Sequence, residues 1–262
     1  MSGSDALHSF VVPAYGRSPY LPQCLASLRA QTRQSRIVIS TSTPFDGLDE
    51  LAREYGARVH VHGAGGSIGR DWNQALATVD TPWATLAHQD DVYLDDFTCR
   101  TMDVALSRDD IALVMTGYRE LLDDHAMGLT PMLAVKRALL ESGFVGRRCV
   151  SAPGAKQRIL RFGCSVSCPT VTLRMDRAPV RFREDLVVNL DWDAWTRLAH
   201  GDGAFAYVRE VLMLHRIHRG SETQAAVRNG VRAKEDLMMF ERFWPAPLAG
   251  LLARAYASSY EG

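Results

Sequence analysis

Over its first 115 residues this chain alternates short β-branched runs with amphipathic stretches of helical period, and that alternation leaves few architectures open. Phe10-Val11-Val12 reads as a strand running into Pro13-Ala14-Tyr15-Gly16. Ser18 is then expected to cap a helix with Pro19 in its first turn, because Leu21, Cys24, Leu25 and Leu28 recur at helical spacing. Ile37-Val38-Ile39 is a second strand, followed by a helix through Leu48, Leu51, Ala52 and Tyr55 that Gly56 closes. Arg58–His62, Ser67–Thr78, Trp83–Ala87, Leu94–Ser107 and Ile111–Met115 continue the series, with Asp95 and Asp96 placed to cap the last helix. The pattern predicts an α/β fold with a mostly parallel sheet covered by helices on both faces, and ligands bound at the carboxyl ends of its strands. Pro13–Arg17, Ser40–Thr43 and His88–Asp91 all fall at those ends.

The second half reads differently. Leu121–Ala155 is helical in patches around a Gly/Arg-rich middle at Gly143–Arg148. Thr170–Leu173 looks like a strand, Leu190–His200 a helix ended by Gly201, Phe205–Leu214 an extended run and Asp236–Trp244 an apolar helix before Pro245. The expected organisation is a nucleotide-binding α/β half (1–118), an acceptor-side half of the same domain (119–222) and a C-terminal helical segment (223–262). The apolar stripe of Met238, Met239, Phe240, Phe243 and Trp244 is expected to serve as core or as a homodimer seam.

Bulk composition narrows the function classes. Thirty basic and thirty acidic side chains cancel, which argues against nucleic acid as a partner. No apolar run approaches the ~20 residues that span a bilayer. Met1–Asp5 carries no basic stretch leading into an apolar core, so no secretion signal is expected. Five scattered cysteines (24, 99, 149, 164 and 168) then point to reduced thiols in a cytoplasm. Cys164 and Cys168 lack a second ligand pair at zinc spacing. The glycines 63, 65 and 69 miss the dinucleotide spacing, because Ile68 stands where the third glycine belongs.

His88-Gln89-Asp90-Asp91 is the strongest chemical signal. Two adjacent carboxylates just beyond an apolar strand suit a divalent cation carrying a diphosphate, since hard ions choose carboxylate oxygens and leave positions open for phosphate. Asp191 opens an apolar helix on the same face as Trp195 and Leu198. Burial would raise its pKa while the helix N-terminus would lower it, which suits a base that takes a hydroxyl proton. Asp193 lies on another side of that helix. His60 and His62 are read as structural. Arg147, Arg148, Lys156, Arg158 and Arg161 are read as a solvated basic loop.

Taken in order, Val11–Tyr15, Gly69-Arg70-Asp71-Trp72-Asn73, His88–Asp91, Leu190-Asp191-Trp192-Asp193-Ala194-Trp195 and Arg216-Ile217-His218 resemble the family 2 glycosyltransferases. The resemblance runs from about residue 9 to 222. It implies a GT-A fold, with a Rossmann-like sheet, and inverting transfer of a sugar from a nucleotide-diphosphate sugar to an acceptor hydroxyl of a saccharide, lipid-linked or other glycoconjugate. It further implies a manganese or magnesium cofactor and a role in polysaccharide or glycoconjugate synthesis. On that resemblance Pro13, Ala14 and Tyr15 line the nucleoside pocket, and Arg70 and Asn73 help hold the nucleotide with Gln89, Asp90 and Arg216. Asp90 and Asp91 hold the metal, His218 completes its shell, and Asp191 is the general base. Two positions depart from the family pattern. Ser40-Thr41-Ser42-Thr43 stands where a base-reading acid is usual, which puts Thr41 at the base, and His88 replaces the first acid of the usual Asp-x-Asp-Asp. The alternative is a nucleotide-sugar-binding or partner protein without turnover.

Overall fold

The structure, a computed structural model, describes residues 6–177, 179–218 and 230–257. The chain start read for a signal (residues 1–5) and the 222/223 boundary lie outside the described residues. The first strands and helices are β1 (His8–Ala14), α1 (Leu21–Arg29), β2 (Arg36–Thr41), α2 (Leu48–Glu54), β3 (Arg58–Val61), α3 (Ile68–Ala77) and β4 (Trp83–Leu86). β5 (Val92–Tyr93), α4 (Phe97–Ala105), β6 (Ile111–Leu122), β7 (His125–Ala126), α5 (Pro131–Phe144), β8 (Cys149–Val150) and α6 (Pro153–Leu160) follow. A short 3-10 helix (Cys168–Thr170), β9 (Val171–Arg174), α7 (Leu190–His200), β10 (Ala204–Arg216), α8 (Val231–Glu241) and α9 (Ala246–Ala257) complete the described elements.

The strands form one sheet in the order β3-β2-β1-β4-β9-β6-β10-β5. β3, β2, β1 and β4 are mutually parallel, as the strand–helix alternation requires. Beyond β4 the sheet becomes mixed: β9 runs antiparallel to both β4 and β6, whereas β10 is parallel to β6. The spacing placed Ile111–Met115 next in the parallel series. In the structure that strand is extended to Leu122 and separated from β4 by a strand drawn from sixty residues downstream in sequence, a non-local pairing that no local period reports. The division expected at 118/119 falls inside β6.

Side-chain alternation explains the two cores. On β1, Phe10 and Val12 point into one apolar cluster with Leu25, Leu28, Phe97 and Met102, while Val11 points into the other with Phe144, Trp192, Trp195 and Phe240. A strand buried on both faces needs apolar residues at consecutive positions, and these three supply them.

Several helix ends differ from expectation. α1 starts at Leu21 with Pro22 in its first turn; Ser18 Oγ instead accepts from the Tyr20 N–H, at 3.2 Å. Asp96 occupies the N-cap position of α4, but its carboxylate accepts from Thr32 Oγ1 at 3.0 Å and caps nothing. Lys156 is not in a solvated loop: it is buried and donates to the carbonyls of Gly201 and Gly203, at 2.6 and 2.9 Å, where it closes the carboxyl end of α7. The apolar residues Met239 and Phe240 of α8 are buried against Trp192 in the chain's own core, and Leu248 and Leu251 of α9 remain exposed. No helix among the described residues is long and apolar enough to cross a membrane.

Candidate active site

β1, β2 and β4 end together, and the loops leaving them build one floor. Gln89 joins two of these loops: its amide oxygen accepts from the Tyr15 N–H at 3.2 Å and its amide nitrogen donates to the Tyr15 carbonyl at 3.4 Å. Tyr15 keeps 66% of its surface exposed, so its ring lines the open side. At the end of β2, Thr41 is buried and its hydroxyl accepts from the Thr43 N–H at 3.0 Å. Thr43 in turn accepts from the Gly16 N–H at 2.7 Å, and Ser42 donates to Asp71 at 3.2 Å. Asp71 therefore sets a carboxylate beside the strand end that lacks one of its own.

Around His88–Asp91 the acids are held by histidines. β5 pairs antiparallel with β10, Leu214 opposite Val92; carried one residue further, that register sets His215 opposite Asp91. His215 Nδ1 lies 3.0 Å from Asp91 Oδ1, which also accepts the Arg216 N–H at 2.9 Å. His218 Nε2 lies 2.9 Å from Asp90 Oδ2. The Arg216 guanidinium is buried and pins the loop: Nε donates to the Asp90 carbonyl at 2.9 Å and Nη1 to Asp124 at 2.7 Å, while Nη2 donates to Gln23. Its plane stands 4.4 Å over the Tyr20 ring.

His88, Asp90 and Asp91 each present a ligand atom within 4.8 Å of the others. Asp91 Oδ2 and His88 Nε2 are buried and lack a hydrogen-bond partner among the described residues. Two orphaned donor atoms beside a second carboxylate fit a divalent cation, because ligation would satisfy groups that are otherwise costly to bury. Burial would raise the Asp90 carboxyl, but His88, His218 and His215 together outweigh it and hold the group below the usual carboxylate range. For His215, burial pulls the imidazole down while Asp91 and Asp90 push it up, and the acids win.

Asp191 stands in the first turn of α7. Its Oδ1 accepts the Trp192 N–H at 2.7 Å and its Oδ2 faces Cys164 Sγ at 3.7 Å. Burial raises its carboxyl above the ordinary range; the Trp192 N–H, Lys136 and His88 only partly offset that. The buried thiol of Cys168 lies beneath, driven up by burial and then by Asp191 and Asp91. His88 lowers both Asp90 and Asp191, and the Cys168 thiol is raised by both Asp191 and Asp91, so the buried acid and the cluster share these two neighbours. Asp193 is the other first-turn acid of α7, and it is buried among Arg197, Arg242 and Arg183.

One family model identifies the family of the chain, and solved structures share its fold. The model for glycosyl transferase family 2 matches residues 9–148, more than half of the chain. The chain belongs to glycosyl transferase family 2. No curated protein sequence matches it significantly. Among solved structures, Staphylococcus aureus TarS 1-349 in complex with UDP-GlcNAc superposes with a TM-score of 0.61 at 13% identity, over 94% of this chain and 70% of that one. The mannosyltransferase PcManGT from Pyrobaculum calidifontis, in complex with GDP-Man and Mn2+, gives 0.59 at 13% over 97% and 70%. Glucosyl-3-phosphoglycerate synthase from Mycobacterium tuberculosis, with Mn2+, UDP and phosphoglyceric acid, gives 0.59 at 16% over 90% and 78%. At such identities the likeness is one of fold, the GT-A fold.

Within this family 2 chain, the Gly69–Asn73 motif has a clear structural task. A Cβ on Gly69 would meet the Arg183 carbonyl oxygen at 2.3 Å, so only glycine lets α3 approach that loop. Asn73 donates to the Phe182 carbonyl at 2.9 Å and accepts the Phe182 N–H at 2.8 Å, while Trp72 packs edge-on against Phe182 and beside His88. Arg70 folds its guanidinium onto the Gly65 carbonyl. Pro13 and Ala14 close β1 in register with Ser40 and Thr41. Two residues near the site carry no role in the sequence reading. His215 stands three residues before His218 in the sequence, and strand register gives it Asp91. Lys136, on α5, donates to Tyr118 Oη at 3.3 Å, and no sequence signal marked it.

Proposed function

We propose that the protein is an inverting, cation-assisted glycosyltransferase that moves a sugar from a nucleoside-diphosphate sugar to an acceptor hydroxyl. The observation that carries the reading is the convergence of a raised carboxyl, Asp191, and a cation-ready cluster, His88, Asp90 and Asp91, on the same neighbours. Tyr15 packs beside the base, with Pro13, Ala14 and Thr41 at the nucleoside end and Arg70, Asn73 and Gln89 framing the nucleotide. His88, Asp90 and Asp91 would hold the cation, with Arg216 at the end of β10 and His218 just beyond it ordering Asp90. The bound ion would supply positive charge against the leaving diphosphate. An imidazole among the ligands suits manganese better than magnesium.

Asp191 takes the proton of the acceptor hydroxyl as the oxygen bonds to the anomeric carbon, and the bond from that carbon to the diphosphate oxygen breaks. One in-line displacement inverts the anomeric centre. An acid raised by burial accepts a proton more readily than an exposed one. The same pair of acids argues against a binding module without turnover, which has no use for Asp191. Glycoconjugate or polysaccharide assembly in the cytoplasm, and a homodimer through the C-terminal helices where Leu248 and Leu251 stay exposed, belong to the same reading; light scattering checks the last.

The test is release of nucleoside diphosphate from UDP-glucose and GDP-mannose with and without Mn2+. Metal-dependent release lowered on the order of 10²–10⁴-fold by Asp191→Asn is expected; release unaffected by that change removes Asp191 from the chemistry.

A further inference from the structure

The segment that leads into α7 is tied by a distant acid. Glu235, on α8, is nearly buried, and its carboxylate accepts three consecutive backbone N–H groups: Val187 at 2.7 Å on Oε1, Val188 at 3.0 Å and Asn189 at 2.9 Å on Oε2. The next residue of α8 takes part as well. Asp236 Oδ1 accepts from Asn189 Nδ2 at 2.8 Å, and Arg232 Nε lies 3.9 Å from its other oxygen.

Asn189 occupies the N-cap position of α7, where its own side chain would ordinarily cap the helix. Here that side chain is committed to Asp236 and makes no cap bond to α7. The segment's free donors are satisfied from α8 instead. Two residues past Asn189 comes Asp191, whose backbone position is therefore set by where Glu235 holds 187–189. The rest of α8 reinforces the tie, since Phe240 packs edge-on against Trp192 at 5.1 Å.

We infer that Glu235 is a positioning residue for catalysis: its carboxylate fixes the turn that aims Asp191 at the acceptor hydroxyl, so that the C-terminal helices are part of the active-site scaffold. The inference rests on Asp191 being the base. A carboxylate gripping consecutive backbone donors makes charge-assisted bonds that a neutral side chain cannot reproduce. Placement errors near 1 Å at a reacting group cost on the order of 10²-fold in rate.

The test compares Glu235→Ala, Glu235→Gln and Asp191→Asn in the full chain, with two readouts. The first is amide hydrogen exchange without substrate. Glu235→Ala is expected to speed exchange at 187–192 on the order of 10²-fold, with the β1–β4 amides unchanged, and Glu235→Gln, which keeps one acceptor oxygen, to fall between. The second is donor turnover to water with UDP-glucose or GDP-mannose and Mn2+. Here kcat is expected to fall about 10²-fold in Glu235→Ala and about tenfold in Glu235→Gln, with KM for the donor unchanged. Unaltered exchange at 187–192 overturns the proposal. So does a kcat that stays at the wild-type level, or a loss of donor binding as large as the loss of rate. Turnover that stays at the wild-type rate in Asp191→Asn sinks the base assignment instead, and the exchange data then judge the tie alone.

Discussion

His88 lowers both Asp90 and Asp191, yet their surroundings drive the two carboxyls apart: three imidazoles hold the first down, and burial lifts the second. Opposite shifts in two acids that share a histidine neighbour suit the first to a ligand and the second to a proton acceptor. The sign follows directly. A base must be ionised to work, so activity falls as pH drops through the raised Asp191 pKa. The acid limb of kcat is expected above the ordinary aspartate range, and absent from the residual rate of Asp191→Asn. That residual rate is expected to be lower by 10²–10⁴-fold, with donor affinity kept by calorimetry. His215 works one step behind the cluster, on Asp91 Oδ1 at 3.0 Å. Replacing it with Ala frees that oxygen to reorient, and Mn2+ affinity is expected to weaken 10–100-fold in calorimetry; an unchanged affinity detaches His215 from the cation cluster. Asp90, Asp91 and Asp191 were legible in the sequence as residue types at strand and helix ends. The direction of the Asp90 shift was not, because two of the three histidines behind it, His215 and His218, come from the end of β10 and just beyond it, more than a hundred residues away.

At the scale of elements, two close fits deserve measurement. Gly69→Ala would set a methyl 2.3 Å from the Arg183 carbonyl oxygen, and backbone cannot yield as a flexible side chain does. A loss of about 1–3 kcal/mol is expected by urea denaturation, with the 182–183 loop displaced from Asn73. Lys156→Met leaves the Gly201 and Gly203 carbonyls unpaired at the end of α7, for an expected loss of about 1–3 kcal/mol in the same assay. Helix periods read true wherever one face is buried, as for Leu21, Cys24, Leu25 and Leu28 in α1. Caps were read less well. Ser18 and Asp96 are correct residue types for capping, but each found a different partner, Tyr20 and Thr32. A short polar side chain bonds to whatever donor the folded chain brings nearest, and composition alone does not say which that is.

Over the whole molecule, a buried imidazole links stability to pH. His8 is enclosed in β1 between Ser35 Oγ, at 2.8 Å, and Thr85 Oγ1, at 3.0 Å, and burial, aided by Arg33, lowers its pKa from 6.5 to about 3. A folded pKa below the unfolded one means that the stabilisation is complete above pH 6.5 and is lost as pH falls toward 3. By pH 4.5 the expected loss is roughly 2–3 kcal/mol. His8→Asn, which cannot titrate, should lack that loss when the two unfolding curves are subtracted; parallel curves would mean that the site admits water.

By itself the sequence determined the parallel β1–β4 layer, the helices that cover it and the strand ends where chemistry collects, since each of these follows from periods of two or 3.6 residues within a single segment. Only the tertiary structure decided that β9 crosses between β4 and β6, that His215 reaches Asp91, and that Glu235 holds the turn before Asp191. Those are contacts between segments separated by tens to more than a hundred residues. They are selected when the whole chain buries its apolar faces together, and no local pattern encodes a partner that far away.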